Sequence, residues 1–367
     1  MEISFLSLPN DLIFDILCRV PVKSLCRSRC VSRGWCALIS GPVFIAAQKS
    51  LPAEPFLVVE SDRDSCLRLI DLDGSIARVI NYRGGCWIPV CMSPVDDVLC
   101  VTTYLNGDPV AGMIDLPTMK VLLTNLEFEG AWGCGRAVPS GTYKVVRFNS
   151  SPECEVFTIG DGDQWRKRKS FHLRIDHYNL DNHHAAVNGT LHFLTEALRF
   201  LPEALPDAIG SILRFDLERE EWKSSIKGPP NVKLGRPHIS LGNLNGSLCM
   251  VEPENHDNNF GYTNIWRLTD SDKCIWVKAY KIPSDQSMYY QMMPLTVLED
   301  GSKLLLRCNK FGGAPVLQIY DENDGTCTDA MKNVLGDHVS HIGLCSLHLE
   351  NFISHKIQHA KSSVHCI

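Results

Sequence analysis

The sequence of 367 residues has no run of apolar residues that approaches the roughly eighteen needed for a membrane-spanning helix. Its formal net charge of −6 gives no basic excess of the kind that nucleic-acid-binding proteins carry. The N-terminal segment contains Glu2 and lacks the basic-then-apolar order of a secretory signal, so we expect a cytoplasmic location, a nuclear one, or both. The short basic stretch Arg166–Lys169 is either a nuclear import signal or a solvated strand. The sequence therefore predicts a protein that binds neither membranes nor nucleic acids.

Motifs of the common catalytic sites are also missing. The sequence has no Gly-x-Ser-x-Gly nucleophile elbow, no His-Glu-x-x-His zinc site and no Gly-x-Gly-x-x-Gly phosphate loop. Sixteen cysteines are present, but they are spread over a long chain and none forms a Cys-x-x-Cys pair. We therefore expect reduced, mostly buried thiols, no metal, no cofactor and no enzymatic activity.

The chain does contain a strong helical pattern near its start. Apolar residues recur every four positions from Leu8 to Val20, a spacing that predicts a helix with a wide apolar stripe. Pro21 ends this helix, and two further short helices are predicted, one through Leu25 and one that carries Trp35. Three short helices cannot enclose this much apolar surface, so they need a partner. That partner is either another protein or the rest of this chain.

The order of residues in this helical segment resembles the F-box. An F-box docks on the Skp-type adaptor of a cullin-based ubiquitin ligase, so the resemblance implies that the matching residues contact such an adaptor. These residues are Leu8, Pro9, Leu12, Ile16, Leu17, Val20, Pro21, Leu25, Val31 and Trp35. Residues 1–50 also hold six Lys or Arg against three acids, which suits the acidic adaptor of that family.

The pattern changes at residues 51–55, where two prolines interrupt the helical spacing and predict a linker. Short apolar runs separated by Gly, Asn and Asp turns follow, which is typical of an all-β domain. Within this region an apolar strand that ends near an acid recurs at intervals of 44 to 56 residues, with Gly160 and Thr269 at the equivalent position in two copies. The six copies end at Asp71, Asp115, Gly160, Asp216, Thr269 and Asp321.

Six copies of this length predict a six-bladed, kelch-like β-propeller over residues 56–350, with an irregular pair of β-sandwiches as the alternative. The repeat resembles the F-box-associated domain of plant F-box proteins. A propeller has to close on itself to hide its edge strands, so the apolar segment 341–349 is predicted to pair with the first blade. The predicted organisation is an F-box of three short helices at 1–50, a linker at 51–55, the propeller at 56–350 and a loose tail at 351–367.

The resemblance implies a substrate-recognition subunit of an SCF-type (Skp–cullin–F-box) ubiquitin ligase that has an unidentified protein as its target. The alternative is a propeller scaffold or interaction protein that acts outside a ubiquitin ligase. Long loops on one face of the propeller are expected to bind the target. The aromatic residues chosen as anchors on these loops are Phe200, Phe260, Tyr262 and Tyr290. The neighbouring acids Glu252, Glu254 and Asp257 would favour a basic segment of the target.

Overall fold

The computed structural model of the chain describes residues 8–51, 53–61, 66–81, 91–95, 98–105, 108–116, 120–127, 132–148, 153–160, 164–169, 184–194, 211–234, 238–254, 260–285, 288–298, 301–331 and 339–347. Four short helices come first and form what we call the helical domain. They are α1 (Asn10–Cys18), α2 (Val22–Ser28), α3 (Arg33–Ile39) and α4 (Pro42–Lys49). No helix in the described ranges has the length and apolar character needed to cross a bilayer.

The expectation of three helices was wrong, because the sequence analysis missed α4. This helix follows Gly41 directly and begins at Pro42, a pair of residues that ordinarily signals a turn. Proline is nevertheless favourable at the first helical position, because its φ is already helical and an N–H there would have no partner in the helix. Helix α3 begins after Ser32, whose Oγ accepts a hydrogen bond from the N–H of Trp35 at 3.1 Å.

The helical domain has its own apolar core. The ring of Phe14 packs edge-on against Phe44, with the ring centroids 5.1 Å apart. At the end of α4, Gln48 Nε2 donates a hydrogen bond to the carbonyl of Cys18 at 2.6 Å and so joins this helix to the end of α1. The fully buried side chains are Leu17, Val22, Leu25, Ile39 and Phe44. The four helices therefore bury a core of their own.

Twenty-four strands follow in the described part of the chain, and they form six four-stranded antiparallel sheets. Sheet 1 contains β1 (Glu54–Ser61), β2 (Cys66–Asp71), β3 (Ile76–Asn81) and the C-terminal β24 (Val339–Leu347). Sheet 2 contains β4 (Cys91–Val95), β5 (Val98–Leu105), β6 (Asp108–Asp115) and β7 (Lys120–Glu127). Sheet 3 contains β8 (Trp132–Arg136), β9 (Tyr143–Phe148), β10 (Glu153–Thr158) and β11 (Arg166–Lys169).

The remaining sheets follow the same plan, with four strands that pair in sequence order. Sheet 4 contains β12 (His184–Val187), β13 (Thr190–Leu194), β14 (Ser211–Asp216) and β15 (Glu221–Lys227). Sheet 5 contains β16 (Ser240–Leu244), β17 (Ser247–Glu254), β18 (Phe260–Asp270) and β19 (Ile275–Asp285). Sheet 6 contains β20 (Tyr289–Leu298), β21 (Lys303–Lys310), β22 (Val316–Asp321) and β23 (Thr326–Ala330).

Each sheet packs face to face on the next, and a cluster of buried apolar side chains fills each gap. Representative pairs in these clusters are Leu69 with Leu99, Val98 with Val145, Val146 with Phe215, Ile212 with Met250, Ile265 with Leu304, and Leu305 with Ile70. The last pair joins sheet 6 to sheet 1, so the sheets form a closed ring. The chain beyond the helical domain is therefore an all-β propeller rather than a pair of sandwiches.

Tight turns join the first two strands of sheets 4 and 5. Asn188 and Gly189 have φ of 46° and 73°, and Asn245 and Gly246 have φ of 49° and 77°. Two successive residues with positive φ are what a type I′ hairpin turn requires, and Asn-Gly adopts them at the lowest cost. The side chain of Asn188 donates to the carbonyl of Gly246 at 3.0 Å, so these two turns lie side by side on one face of the ring.

The C-terminal strand closes the ring, as predicted. β24 pairs with β1 in antiparallel register from Glu54 opposite Leu347 to Ser61 opposite Val339. β1 begins at Glu54, so the last two residues assigned to the linker belong to the sheet. The predicted tail at 351–367 lies outside the described residues.

Among the described residues, the cysteines follow the expectation of reduced thiols except for one pair. Cys100 of β5 and Cys134 of β8 form a disulfide between sheets 2 and 3. Free and buried thiols among the described residues include Cys66, Cys154, Cys249, Cys308 and Cys345. Burial raises the pKa of Cys249 to about 12, which keeps this thiol protonated and unreactive. Within the described ranges, no three His, Cys, Asp or Glu side chains are grouped to hold a metal ion.

Candidate functional site

Helix α1 presents apolar side chains on two opposite sides. Its inner side carries Phe14 and Leu17, which pack in the core of the helical domain. Its outer side carries Leu12 and Ile16, and Leu8 lies just before the helix; the three are 49%, 53% and 56% exposed. Three large, exposed apolar side chains at intervals of four residues form a stripe that a partner could cover. We call Leu8, Leu12 and Ile16 the outer stripe.

The structure separates the predicted adaptor contacts into three groups by exposure. Exposed residues are Leu8, Pro9, Leu12, Ile16, Pro21 and Val31. Val20 and Trp35 are half-buried and pack against the core of the helical domain. Leu17 and Leu25 are 3% and 0% exposed, so other residues of the helical domain cover the side chains that were expected to face the adaptor. These two residues therefore support the shape of the helical domain in this structure.

The helical domain also carries exposed charged side chains. The basic residues that lie exposed on the helical domain are Arg19, Arg27 and Arg33. Two other basic side chains are used inside the protein, because Lys23 pairs with Asp71 and Arg29 donates to the hydroxyl of Ser40. Two acids on α1, Asp11 and Asp15, are also exposed. Two of the basic residues counted in the sequence are thus engaged in contacts within the protein.

The second candidate surface lies at the ends of strands in sheets 5 and 6. Of the four predicted target anchors, Phe200 lies outside the described residues, and Phe260 is the first residue of β18. Tyr262 is half-buried, and the ammonium of Lys281 lies 4.0 Å from the centre of its ring. Lys281 therefore covers one side of this ring.

Tyr290 is the predicted anchor that the structure places in an exposed apolar group. Its ring centroid lies 5.3 Å from that of Phe311, and the Phe311 N–H donates to the Met288 carbonyl at 3.2 Å. The three side chains are 39%, 60% and 46% exposed for Tyr290, Phe311 and Met288. We call these residues the aromatic patch. The β20–β21 register brings Phe311 to Tyr290, because Tyr289 opposes Lys310.

The acids that were expected to attract a basic target are placed differently. Glu252 is only 7% exposed, and its carboxylate accepts hydrogen bonds from Trp266 Nε1 at 2.9 Å and Asn264 Nδ2 at 3.2 Å. Glu254 accepts from the same amide at 3.1 Å. Glu252 therefore holds sheet 5 together, while Asp257 lies outside the described residues.

The basic stretch Arg166–Lys169 forms strand β11 of sheet 3. Its arginines contact Glu220 in the β14–β15 turn of the next sheet: Arg166 Nη2 lies 2.6 Å and Arg168 Nη2 2.5 Å from the carboxylate. Lys144 Nζ reaches the same carboxylate at 3.0 Å. Burial raises the pKa of Glu220, but the hydrogen bonds from Arg166 and Lys144 outweigh it and lower this pKa from 4.5 to about 2. The sequence analysis missed Glu220, which lies 52 residues or more from each partner.

A helical domain with an exposed apolar stripe, followed by a β-propeller with an exposed aromatic patch, defines a two-domain protein-interaction protein. Comparison with protein families agrees with this class. Residues 5–46 match the F-box domain, and residues 139–346 match the F-box associated beta propeller domain. The chain therefore belongs to the plant-type F-box proteins with an F-box-associated β-propeller.

Three relatives from Arabidopsis thaliana illustrate the similarity. F-box protein At3g07870 is 26% identical over 317 residues, which cover 75% of this chain and 72% of that protein. F-box protein CPR1 is 26% identical over 349 residues, covering 83% and 80%. F-box/kelch-repeat protein At3g23880 is 25% identical over 275 residues, covering 67% and 72%. Among solved structures, TolB from Acinetobacter baumannii aligns over 83% of this chain and 73% of its own, with a TM-score of 0.47 and 11% identity.

Proposed function

We propose that the protein is the substrate-recognition subunit of an SCF-type ubiquitin ligase. The F-box binds a Skp-type adaptor, and through it a cullin, while the propeller binds a target protein that is then ubiquitinated and degraded. The chain itself makes and breaks no bond. Its contribution is to hold the target next to the ubiquitin-conjugating machinery, which raises the rate of transfer by proximity.

The observation that carries this proposal is the outer stripe. The helical domain already buries a core of its own, yet the three large apolar side chains of the outer stripe stay about half exposed. The rest of the described chain does not cover them, although the propeller lies next to α2. An exposed apolar stripe that its own chain leaves uncovered is typical of a surface that another protein covers.

Replacing Leu12 or Ile16 by Asp tests adaptor binding. We expect each variant to weaken binding of a purified Skp-type adaptor roughly 30-fold or more, because a buried interface anchor contributes about 2 kcal/mol or more. Isothermal titration calorimetry measures this change. Val277→Asp is the matched control, because Val277 is 48% exposed on the outermost strand of sheet 5, as Leu12 is 49% exposed on α1.

The control variant should bind the adaptor as the unmodified protein does. All three substitutions are at exposed positions, so melting temperatures should change little. Adaptor binding that survives both Leu12→Asp and Ile16→Asp would contradict the proposal. It would favour the other reading, a propeller scaffold that acts outside a ubiquitin ligase.

For target binding we propose that the aromatic patch supplies the main anchors. Exposed aromatic residues that touch each other are well suited to this role, because they bury large areas and lose little side-chain entropy. Tyr262 is a secondary candidate, since Lys281 already covers one side of its ring.

The test of the aromatic patch compares two variants in cells. The first variant, Ile16→Asp, cannot join the ligase and should therefore hold its targets without degrading them. The second variant adds Tyr290→Ala and Phe311→Ala, and it should capture roughly 30-fold less target or lower still. Quantitative mass spectrometry of the captured proteins measures the difference. Adding Ile76→Ala with Val79→Ala instead is the control, because these residues are each 48% exposed on β3. An unchanged set of captured proteins after the aromatic changes would place target binding elsewhere on the propeller.

A further inference from the structure

Two polar contacts join the F-box to the first sheet of the propeller. The N–H of Val22 donates to Glu54 Oε1 at 2.7 Å, and Lys23 Nζ lies 2.7 Å from Asp71 Oδ2. Val22 and Lys23 are the first two residues of α2. Glu54 begins β1 and Asp71 ends β2, where Asp71 pairs with Phe56. Two consecutive residues of one helix are thus held by two neighbouring strands.

The remaining described contact between the two domains is slight. The buried core of the F-box contains residues from its helices alone, and none of the buried apolar clusters found in the described ranges contains residues from both domains. Domains joined by a small polar interface and a short connection normally move relative to each other. A single contact would leave the F-box free to rotate about it in every direction, whereas two separate contacts leave only the axis that joins them. The short connection from α4 to β1 restrains rotation about that axis.

The Lys23–Asp71 ion pair is partly shielded from solvent, which strengthens its attraction. The side chains of Lys23 and Asp71 are each 18% exposed, so solvent and salt screen their attraction less than that of a fully exposed pair. Asp71 Oδ1 accepts the N–H of Ser75 at 2.7 Å, which fixes the carboxylate within the β2–β3 turn. Burial raises the pKa of Glu54 from its usual 4.5, while the Val22 N–H acts against this shift by favouring the carboxylate.

These contacts lie on the face of the ring opposite the aromatic patch. In sheet 1, Glu54 and Asp71 are at the end where β24 finishes, because Glu54 opposes Leu347. In sheet 6, Tyr290 and Phe311 are at the end where the first strand, β20, begins. Because every sheet repeats the same strand order around the ring, the beginning of β20 corresponds to the beginning of β24.

We propose that the Lys23–Asp71 ion pair and the Val22–Glu54 hydrogen bond form a two-point clamp that holds the F-box in one orientation on the propeller. A partner on the outer stripe and a partner on the aromatic patch are thereby kept at one fixed separation. The value of this separation for ubiquitin transfer rests on the proposed function. The clamp itself does not.

The clamp is tested by the distribution of distances between the two domains. Donor and acceptor dyes are attached through unnatural amino acids at Asp15 on α1 and Lys273 in the β18–β19 turn, two exposed positions. Single-molecule energy transfer then reports how widely the distance varies. We expect Lys23→Met and Asp71→Asn each to broaden the distribution roughly twofold, as the F-box begins to swing.

Three further variants sharpen this experiment. Lys23→Arg, which keeps the cation and leaves Asp71 unchanged, should keep the distribution narrow. Lys167→Met is the control, because it removes an ion pair with Glu153 at 3.0 Å elsewhere on the ring and should leave the distribution narrow. Glu54→Ala should also broaden it, since Val22 loses its acceptor. Asp71→Asn keeps an oxygen for Ser75, so the β2–β3 turn is preserved.

An unchanged width in both Lys23→Met and Asp71→Asn would overturn the clamp. The measurement uses the full chain without an adaptor, so this outcome leaves the proposed function untouched. Conversely, a protein that fails to bind the adaptor but shows the expected broadening would contradict the proposed function and support the clamp. Circular dichroism of each variant establishes that the helices are still folded.

Discussion

A chain that ends at residue 338 is expected to lose cooperative thermal unfolding, because it lacks β24. This strand contributes to both gaps that flank sheet 1. Val339 and Ile342 belong to the cluster shared with sheet 6, and Cys345 and Leu347 belong to the cluster shared with sheet 2. All four side chains are at most 3% exposed. Removing the strand opens two apolar gaps at once and leaves β1 as an unpaired edge.

The size of this effect follows from the buried side chains. Complete burial of a Val, Leu or Ile side chain contributes about 1.5 to 3 kcal/mol, so Val339, Ile342 and Leu347 together contribute roughly 5 to 9 kcal/mol. Typical domains are stable by only about 5 to 15 kcal/mol. Polar contacts are lost as well, since Ser340 Oγ and His341 Nδ1 each lie 2.9 Å from the buried carboxylate of Glu60.

Differential scanning calorimetry distinguishes the closed ring from an open one. A chain that ends after Glu350 keeps the whole of β24 and should unfold like the full-length protein. The shorter chain should show a broad transition with little heat absorption. If both shortened chains unfold as sharply as the full-length protein, the ring does not depend on β24.

Much of this fold could be predicted because its signals are local. In each of the six repeat copies, the predicted end residue lies at or close to the end of the third strand of a sheet. Asp216, for example, is the last residue of β14, and Asp321 is the last residue of β22. The alternation of apolar residues and turns determines strands, and a repeat of constant plan determines how they are grouped. The need of a ring to close then predicted the place of β24.

The candidate site was predicted less completely, because exposure is a property of packing. The sequence pattern joins Ile16 and Leu17 in one apolar stripe, yet the first is 53% exposed and the second 3%. Adjacent residues on a helix point about 100° apart, and a stripe this wide covers both the core side and the partner side. The side that becomes the core is the one that faces the other helices, including Phe44 on the undetected α4.

Contacts between sheets were beyond sequence reasoning for a similar reason. Glu252 looked like an exposed rim acid until Trp266 and Asn264 were placed beside it. Nothing in the sequence pairs Glu220 with residues of the preceding sheet. Register between sheets depends on the packing of the whole ring, and a single sequence carries no local signal for it.

Replacing Glu220 by Gln should destabilise the propeller by roughly 3 kcal/mol at pH 7. The substitution keeps the size of the side chain but removes the only charge that Lys144, Arg166 and Arg168 are shown to share. Lys144 is the most affected, because its side chain is 10% exposed and would be left facing a neutral amide. This loss of stability is near the lower end of the range observed when one partner of a buried ion pair is removed. The reason is that the two arginines are partly exposed and water stabilises them.

The destabilisation should depend on pH in a defined direction. Because the folded protein lowers the pKa of Glu220 from 4.5 to about 2, the carboxylate contributes its full stability above about pH 4.5. That contribution declines as the pH falls and is lost near pH 2, where Glu220 is protonated in the folded protein too. The difference in stability between the unmodified protein and Glu220→Gln should therefore be constant from pH 7 to pH 5 and shrink below pH 4.5.

Chemical denaturation at pH 7, 5, 4 and 3 measures this difference. Glu221→Gln is the matched control, because the neighbouring carboxylate is exposed and its replacement should change stability by less than about 0.5 kcal/mol at every pH. Equal effects of the two substitutions would show that the three cations do not depend on Glu220. A difference for Glu220→Gln that stays constant down to pH 3 would show that the carboxylate is not held ionised by Arg166 and Lys144. The expected result instead identifies one buried carboxylate as the electrostatic link between sheets 3 and 4, next to the apolar cluster that contains Val146 and Phe215.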